Sequence, residues 1–313
     1  MRSRLAMSVV VAACALSACG SQIAGQAVGR TTAATSTTAA ATTTIAPPTT
    51  TAPTTTKPAP LPPTKAAISP AGNPNGHATV PAEGQPVDTS HPTRVVGTGT
   101  AASCTSAAVV AAVAAGGIIT FSCGPAPVTI AMAATAKVRN SATQVVIDGS
   151  GTVTLSGGGA RRILYQDACD ASLGKATSDC YNQDQPRLTV QNLTFADGNA
   201  TGQGSPGDGG GGGAIFALGG RLTVINSRFL RNRCDATGPD LGGAGIRALA
   251  EYQNQPVYVV GSTFGGAPGQ GGTCSNGGAL SSIGVSWIVL NSLMINNHAI
   301  GFGAIPGSPG GGS

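Results

Sequence analysis

Charge and aromatic rings are both scarce in this 313-residue sequence: Asp, Glu, Lys and Arg together make up 9%, and aromatic residues 4%. The net +5 is scattered rather than gathered into a stripe, and it shrinks once Arg2 and Arg4 leave with the N-terminal segment. Nucleic acid is therefore not an expected partner. Histidine is scarce as well: His77, His91 and His298 are the three, and only His298 lies where the chain reads as folded. No Ser-His-Asp set is plausible on that count, and with no close Cys pair neither is a zinc site. No metal or cofactor is expected. Trp287 and four tyrosines are too few for an obvious sugar-stacking platform. The apolar run Leu5 to Leu16 is too short to span a bilayer as a stable helix. What fills the sequence instead is small, with 47 glycines, so short side chains and frequent turns replace the usual globular mixture.

The N-terminus has an export layout: Arg2 and Arg4, the apolar run, then Leu16-Ser17-Ala18 before Cys19. Leu16 to Cys19 resembles the lipobox of bacterial lipoproteins, which implies a signal peptide over 1–18 and a lipid on Cys19 that holds the chain on a membrane. Val11 to Cys14 fits the same loose pattern, but cleavage there leaves under two helical turns of apolar chain after Arg4. An ordinary signal peptide cut near Ala18 is the alternative, and either places the mature chain outside the cytoplasm. Residues 19–93 then read as a disordered Thr/Ala/Pro-rich tether, because runs such as Pro53-Thr54-Thr55-Thr56 bury too little apolar area to offset chain entropy. Its extended stretches hold a folded part on the order of 100 Å from the anchor. His77 and His91 read as solvated linker residues.

The folded part, 94–313, carries an internal repeat. Leu188 to Phe195 aligns with Leu222 to Phe229, then with Tyr258 to Phe264 and Ile288 to Met294. One position reads Asn192, Asn226, Gly261 and Asn291, at steps of 34, 35 and 30 residues. Leu188 and Val190 share a strand face, but Phe195 follows at an odd spacing, so the two-residue period breaks between them. A left-handed corner at the Asn position repairs the phase, and Asn and Gly enter that backbone region most cheaply. Stacked Asn side chains there are expected to hydrogen-bond from repeat to repeat. A second motif, Gly212-Gly213-Ala214-Ile215, recurs as Gly242 to Gly245, Gly277 to Leu280 and, more weakly, Phe302 to Ile305. Short strands repeated about every thirty residues with no helices between them read as a solenoid of parallel strands. An antiparallel sandwich, the rival, predicts no fixed Asn position. Ser106 to Ala115, an Ala/Val run stopped by Gly116-Gly117, reads as a capping helix over the solenoid's open start. The chain stops in 301–313 without such a cap, so a truncated end is the expectation there.

Gly212 to Ile215 paired with Phe229-Leu230-Arg231-Asn232 resembles the repeats of polymorphic outer membrane proteins and other right-handed parallel β-helix proteins of the pectate-lyase-like superfamily. Ile147-Asp148-Gly149-Ser150-Gly151 resembles their opening coils. The likeness runs from about Cys104 to Ile305, and only Phe229 to Asn232 keeps the final Asn. It implies an all-β right-handed parallel β-helix. It implies no single function, since that architecture hosts adhesins, lyases, hydrolases and inert scaffolds.

Six cysteines of the folded part allow fifteen pairings. Position along the repeats favours Cys104 with Cys123, pinning the cap, Cys169 with Cys180 around a polar insertion, and Cys234 with Cys274, each following a repeat unit. Catalytic chemistry is not evident. Asp197, Asp208, Asp235 and Asp240 fall in loops rather than on one strand face, and Arg161, Arg162, Arg228, Arg231 and Arg233 read as solvated outward positions. No catalytic residue is assigned. The functional expectation is a surface-displayed scaffold or adhesin-like binder of cell-wall or host glycans or proteins. The alternative is a polysaccharide lyase or glycoside hydrolase.

Overall fold

A computed structural model describes residues 70–174, 177–203, 210–238 and 241–301. Cys19 and the rest of the proposed signal and anchor lie outside them. Among the described residues the fold is mostly β, with a single α-helix, and all its strand pairs are parallel. The main sheet runs in the order Arg94–Val96, Gly117–Phe121, Gln144–Ser156, Arg187–Ala196, Arg221–Ile225, Val257–Val260 and Trp287–Leu290. From Gln144 onward each strand pairs with the equivalent strand of the next repeat. Leu188 thus lies beside Leu222 and Val190 beside Val224, with Val224 in turn beside Val259. These inward side chains are fully buried. After the corner, Phe195, Phe229 and Phe264 fall into one column, with ring centroids 5.1 and 4.4 Å apart. Each buried ring stabilises the core by about 2–3 kcal/mol, and each stacked pair adds about 1 kcal/mol.

The corner itself is left-handed in every repeat: φ is 52° at Asn192, 46° at Asn226, 56° at Gly261 and 52° at Asn291. The four residues share one position because their neighbours pair in register, Gln191 with Ile225, Ile225 with Val260, and Val260 with Leu290.

A second, five-stranded sheet holds Ala136–Lys137, Leu164–Asp167, Ile215–Leu218, Ile246–Leu249 and Leu280–Ile283. Ile246 pairs with both Ile215 and Leu280, so the glycine equivalent to Gly212 and Gly277 is Gly243. The repeat alignment on Gly242 is thus one residue early. The Gly-Gly-Ala string misled it, whereas the positive φ of Gly212, Gly243 and Gly277 marks the shared turn.

The helix spans Ser106–Ala115, where the Ala108 amide donates to Thr105 Oγ1, and it buries Val109 and Val113 over the start of the core. Three disulfides join Cys104 with Cys123, Cys169 with Cys180 and Cys234 with Cys274. These are the pairs that position along the repeats favours. Structural disulfides persist in oxidising compartments, and three of them mark an extracytoplasmic protein.

Residues 70–93 depart from the tether assignment. They form a strap that descends the outward side of the main sheet from the last repeat to the first. The Gly72 amide donates to Thr263 Oγ1, and Asn291 exchanges hydrogen bonds with both backbone groups of Ala78. Gln191 does the same for Val87, Thr89 Oγ1 donates to Asp148, and the Thr93 amide donates to the Ile118 carbonyl. Composition asks what a segment can bury by itself. Here the partners are polar side chains already fixed by the sheet, so a segment with little apolar area of its own is still held.

Candidate functional site

The strap, the main sheet and the Gln255-Pro256 loop line a groove of about 180 Å³. Its floor is two outward rows set by the pairing register. One row is Gln144, Arg187 and Arg221; the other is Thr189, Thr223 and Tyr258. Glu83 of the strap lines the same groove, with Gln255 and Pro256 at its far end. Strand neighbours stand about 4.8 Å apart, so like groups are presented at a fixed step.

Asp184 organises the cations. It accepts from Arg221 Nε at 2.5 Å and pairs with Arg187. Desolvation pushes its pKa up, but the hydrogen bonds from Arg187 and Arg221 outweigh this and hold it below the ordinary carboxylate range. Arg221 also lies over the Tyr252 ring, 5.4 Å from its centroid. Just behind, Glu251 is 3% exposed, and neither carboxyl oxygen accepts a hydrogen bond. Burial drives its pKa well above the usual glutamate value; the Leu222 amide, out of hydrogen-bonding geometry, and the Arg221 charge offset this only in part. Chemically the groove offers two guanidinium groups, hydroxyls, side-chain amides, one ring and the Glu83 carboxyl, with Asp184 engaged by both arginines.

Sequence reasoning passed over Arg187 and Arg221 although the signal was present. Arg187-Leu188-Thr189-Val190 and Arg221-Leu222-Thr223-Val224 are the same tetrapeptide, but an alignment begun at the leucine drops the arginine. The basic groupings it did notice behave differently from one another. Arg162 corrects the solvated assignment: it is 5% exposed, with its guanidinium donating to the Gly211, Gly212 and Gln203 carbonyls. It lies over the Tyr165 and Phe216 rings, and burial lowers its pKa to about 10. Arg161 donates to the Met132 carbonyl, and Arg233 to that of Gly159. Arg228 is partly buried and donates to the Pro70 carbonyl. Arg231 forms a two-point pair with Asp197 at 2.7 and 2.9 Å. Asp235 accepts from the Gly202 amide; Asp208 and Asp240 lie outside the described residues.

The corner residues form a polar ladder that serves the strap. Asn226 Nδ2 reaches Asn192 Oδ1 at 3.5 Å, and Asn192 Nδ2 donates to Asp148 Oδ1 at 3.1 Å. Gly261 interrupts the ladder. Gly72 of the strap sits there, where a Cβ would come within 2.7 Å of the Gly261 carbonyl. Beside this contact a second cavity, of about 280 Å³, opens between Pro70, Ala71, Asn192, Asn226 and Arg228. Trp287 donates from Nε1 to Ser282 Oγ and packs against the core, which makes it a strand anchor. Among the described residues no cluster of three His, Cys, Asp or Glu side chains is placed to hold a metal, and no helix is long and apolar enough to cross a membrane. Neither a family model, nor a curated protein, nor a solved structure matches this chain, so it stands on its parallel sheets, its disulfides and its groove.

Proposed function

We propose that the chain is an exported lipoprotein, anchored through Cys19, whose folded part is a right-handed parallel β-helix that binds an extended glycan in the groove without cleaving it. Parallel pairing of strands one repeat apart supports the β-helix, and nearly all parallel crossovers take the right hand. The observation that carries binding is the register of the two outward rows, Arg187 with Arg221 and Thr189 with Thr223 and Tyr258. Their step of about 4.8 Å is close to the length of one pyranose ring, so successive sugars meet equivalent groups. Binding is favoured over cleavage by the state of the acids. Acid-base cleavage of a glycoside uses a pair of carboxyl groups flanking the bond; Glu83 is the one carboxyl among the groove's lining residues, Asp184 is engaged by two arginines, and Glu251 is buried beneath the surface.

A glycan array probed with the purified chain tests this. Arg187→Ala combined with Thr223→Ala is expected to weaken retention about tenfold, the scale of one or two hydrogen bonds. Release of unsaturated or reducing-end products would replace binding with lyase or hydrolase chemistry. For the anchor, Cys19→Ala is expected to free the protein from membrane fractions while Cys14→Ala leaves it there; equal membrane partition of wild type and Cys19→Ala refutes the lipoprotein.

A further inference from the structure

Away from the groove, a cleft of about 290 Å³ lies between the helix Ser106–Ala115 and Ala136–Lys137, the first strand of the second sheet. Val110 and Ala114 of the helix form one wall, and Lys137 and Arg139 stand on the other. Ala136, Val138 and Asn140 turn into the core, so the two cations that alternate with them point outward. Both are held in place. Arg139 donates to the Ser172 carbonyl at 3.2 Å, which leaves the rest of its guanidinium fork for another acceptor, and Lys137 Nζ lies 5.4 Å from the Tyr165 ring centroid. No acid lines the cleft, and among the described residues neither cation has an ion pair. The nearby acids are engaged elsewhere: Asp167 accepts from the Tyr165 hydroxyl and the Cys169 amide, and Asp170 from the Ser172 amide.

The strand edge adds donors of its own. Ala136–Lys137 pairs only with Leu164–Asp167, and the Ala136 and Val138 amides donate that way, to the Ile163 and Tyr165 carbonyls. Amides alternate in direction along an extended strand, so those of Lys137 and Arg139 face the helix, where neither meets an acceptor among the described residues. The helix covers this edge without satisfying it, because its carbonyls bond within the helix and Val110 and Ala114 carry no acceptor. Unpaired edge amides beside two cations make an anion-binding concavity. The geometry points to a binding site for a small phosphomonoester with an apolar alcohol part. Its phosphate takes the Arg139 fork, the Lys137 ammonium and the two edge amides, while the apolar group lies on Val110 and Ala114. Donors that converge from the strand edge and from two side chains suit the three oxygens of a phosphate better than the two of a flat carboxylate.

Isothermal titration of the purified chain with phenyl phosphate, inorganic phosphate, benzoate and benzyl alcohol tests the site. Phenyl phosphate is expected to bind, inorganic phosphate and benzoate about tenfold more weakly, and benzyl alcohol not at all. Lys137→Gln with Arg139→Gln, both at exposed positions, is expected to weaken phenyl phosphate about tenfold or more. A reading that needs no variant comes from amide resonances of the wild type: those of Lys137 and Arg139 are expected to move downfield as phenyl phosphate is added. Absence of both heat and shifts overturns the inference. So does binding that survives the double variant, and so does benzoate or benzyl alcohol binding as tightly as phenyl phosphate, which would make the ligand a carboxylate or merely apolar. Vesicles of phosphatidylcholine with phosphatidic acid carry the same phosphate on a membrane and are expected not to retain the chain through these residues. Retention lost in the double variant, without binding of phenyl phosphate, overturns the small ligand in favour of a membrane surface.

Discussion

At the scale of single residues, the corner positions carry the most information. Gly261 sits at φ 56°, and a Cβ there would lie 2.6 Å from Asn226 Oδ1. Gly261→Val is therefore expected to destabilise by roughly 1–2 kcal/mol of backbone strain, about 2–8 °C in Tm for a domain of this size. Asn226→Gly, which keeps the corner cheap, is expected to cost less than Asn226→Val although valine is the better strand former; thermal unfolding orders the three. Glu251 makes a second prediction. In the folded chain burial raises its pKa well above the usual value, while in the unfolded chain it ionises near pH 4.3. Stability must then fall as pH rises above that value, because the unfolded state alone gains by losing the proton. Glu251→Gln cannot ionise in either state and is expected to flatten the decline that begins above about pH 4.3, measured by urea unfolding at each pH. The corners were legible because a left-handed turn restricts residue type, leaving a mark in a single sequence. Arg162 was not, because nothing in two adjacent arginines tells which one turns inward onto backbone carbonyls.

At the scale of elements, helix and strands were legible and the strap was not. An Ala/Val run ended by two glycines, or an alternation broken at a fixed asparagine, is local. The strap's partners lie far along the chain, such as Ile118 for Thr93, 25 positions away, and Asn291 for Ala78, 213 positions away. Its own sequence announces only low apolar content. Asp148 gives a handle on it. Burial raises the Asp148 pKa, but hydrogen bonds from Gln191, the Ser150 amide, Thr89 and Asn192 overcome that and hold it below its ordinary value. Its contribution is then complete above the unfolded value near 3.9 and is lost as pH falls through the lower folded one. Amide exchange across 84–93 is expected to quicken relative to the main strands as pH falls below about 3.9. Asp148→Asn is expected to show the quicker exchange already at pH 6, without further change on acidification.

At the scale of the whole molecule, the disulfides divide the labour. Cys169–Cys180 closes a short loop beside the groove, whereas Cys234–Cys274 spans 40 residues and ties two successive repeats together. In the chain-entropy account the longer closure is worth about 4 kcal/mol and the shorter about 3 kcal/mol. Replacing Cys234 and Cys274 by serine is expected to lower the unfolding midpoint in urea more than replacing Cys169 and Cys180. The reverse order would mean that the repeats are held by their packing alone. The repeat length and the parallel pairing were readable from sequence, since stacking demands that equivalent residues recur. The groove was not: it is walled by a strap, a loop and a sheet that meet only in three dimensions.

The strap also determines how the molecule answers a pull. Whatever precedes Pro70 joins the folded part near the last repeats, through the Pro70 carbonyl on Arg228 and the Gly72 amide on Thr263. Tension applied there loads these contacts first and those at Thr89 and Thr93 last, so they fail one after another rather than together. Each released residue adds reach, and paying out 70–93 in full lengthens the leash by about 80 Å while the disulfide-bonded core stays folded. If the chain is anchored through Cys19 as proposed, such a body yields under drag before it breaks.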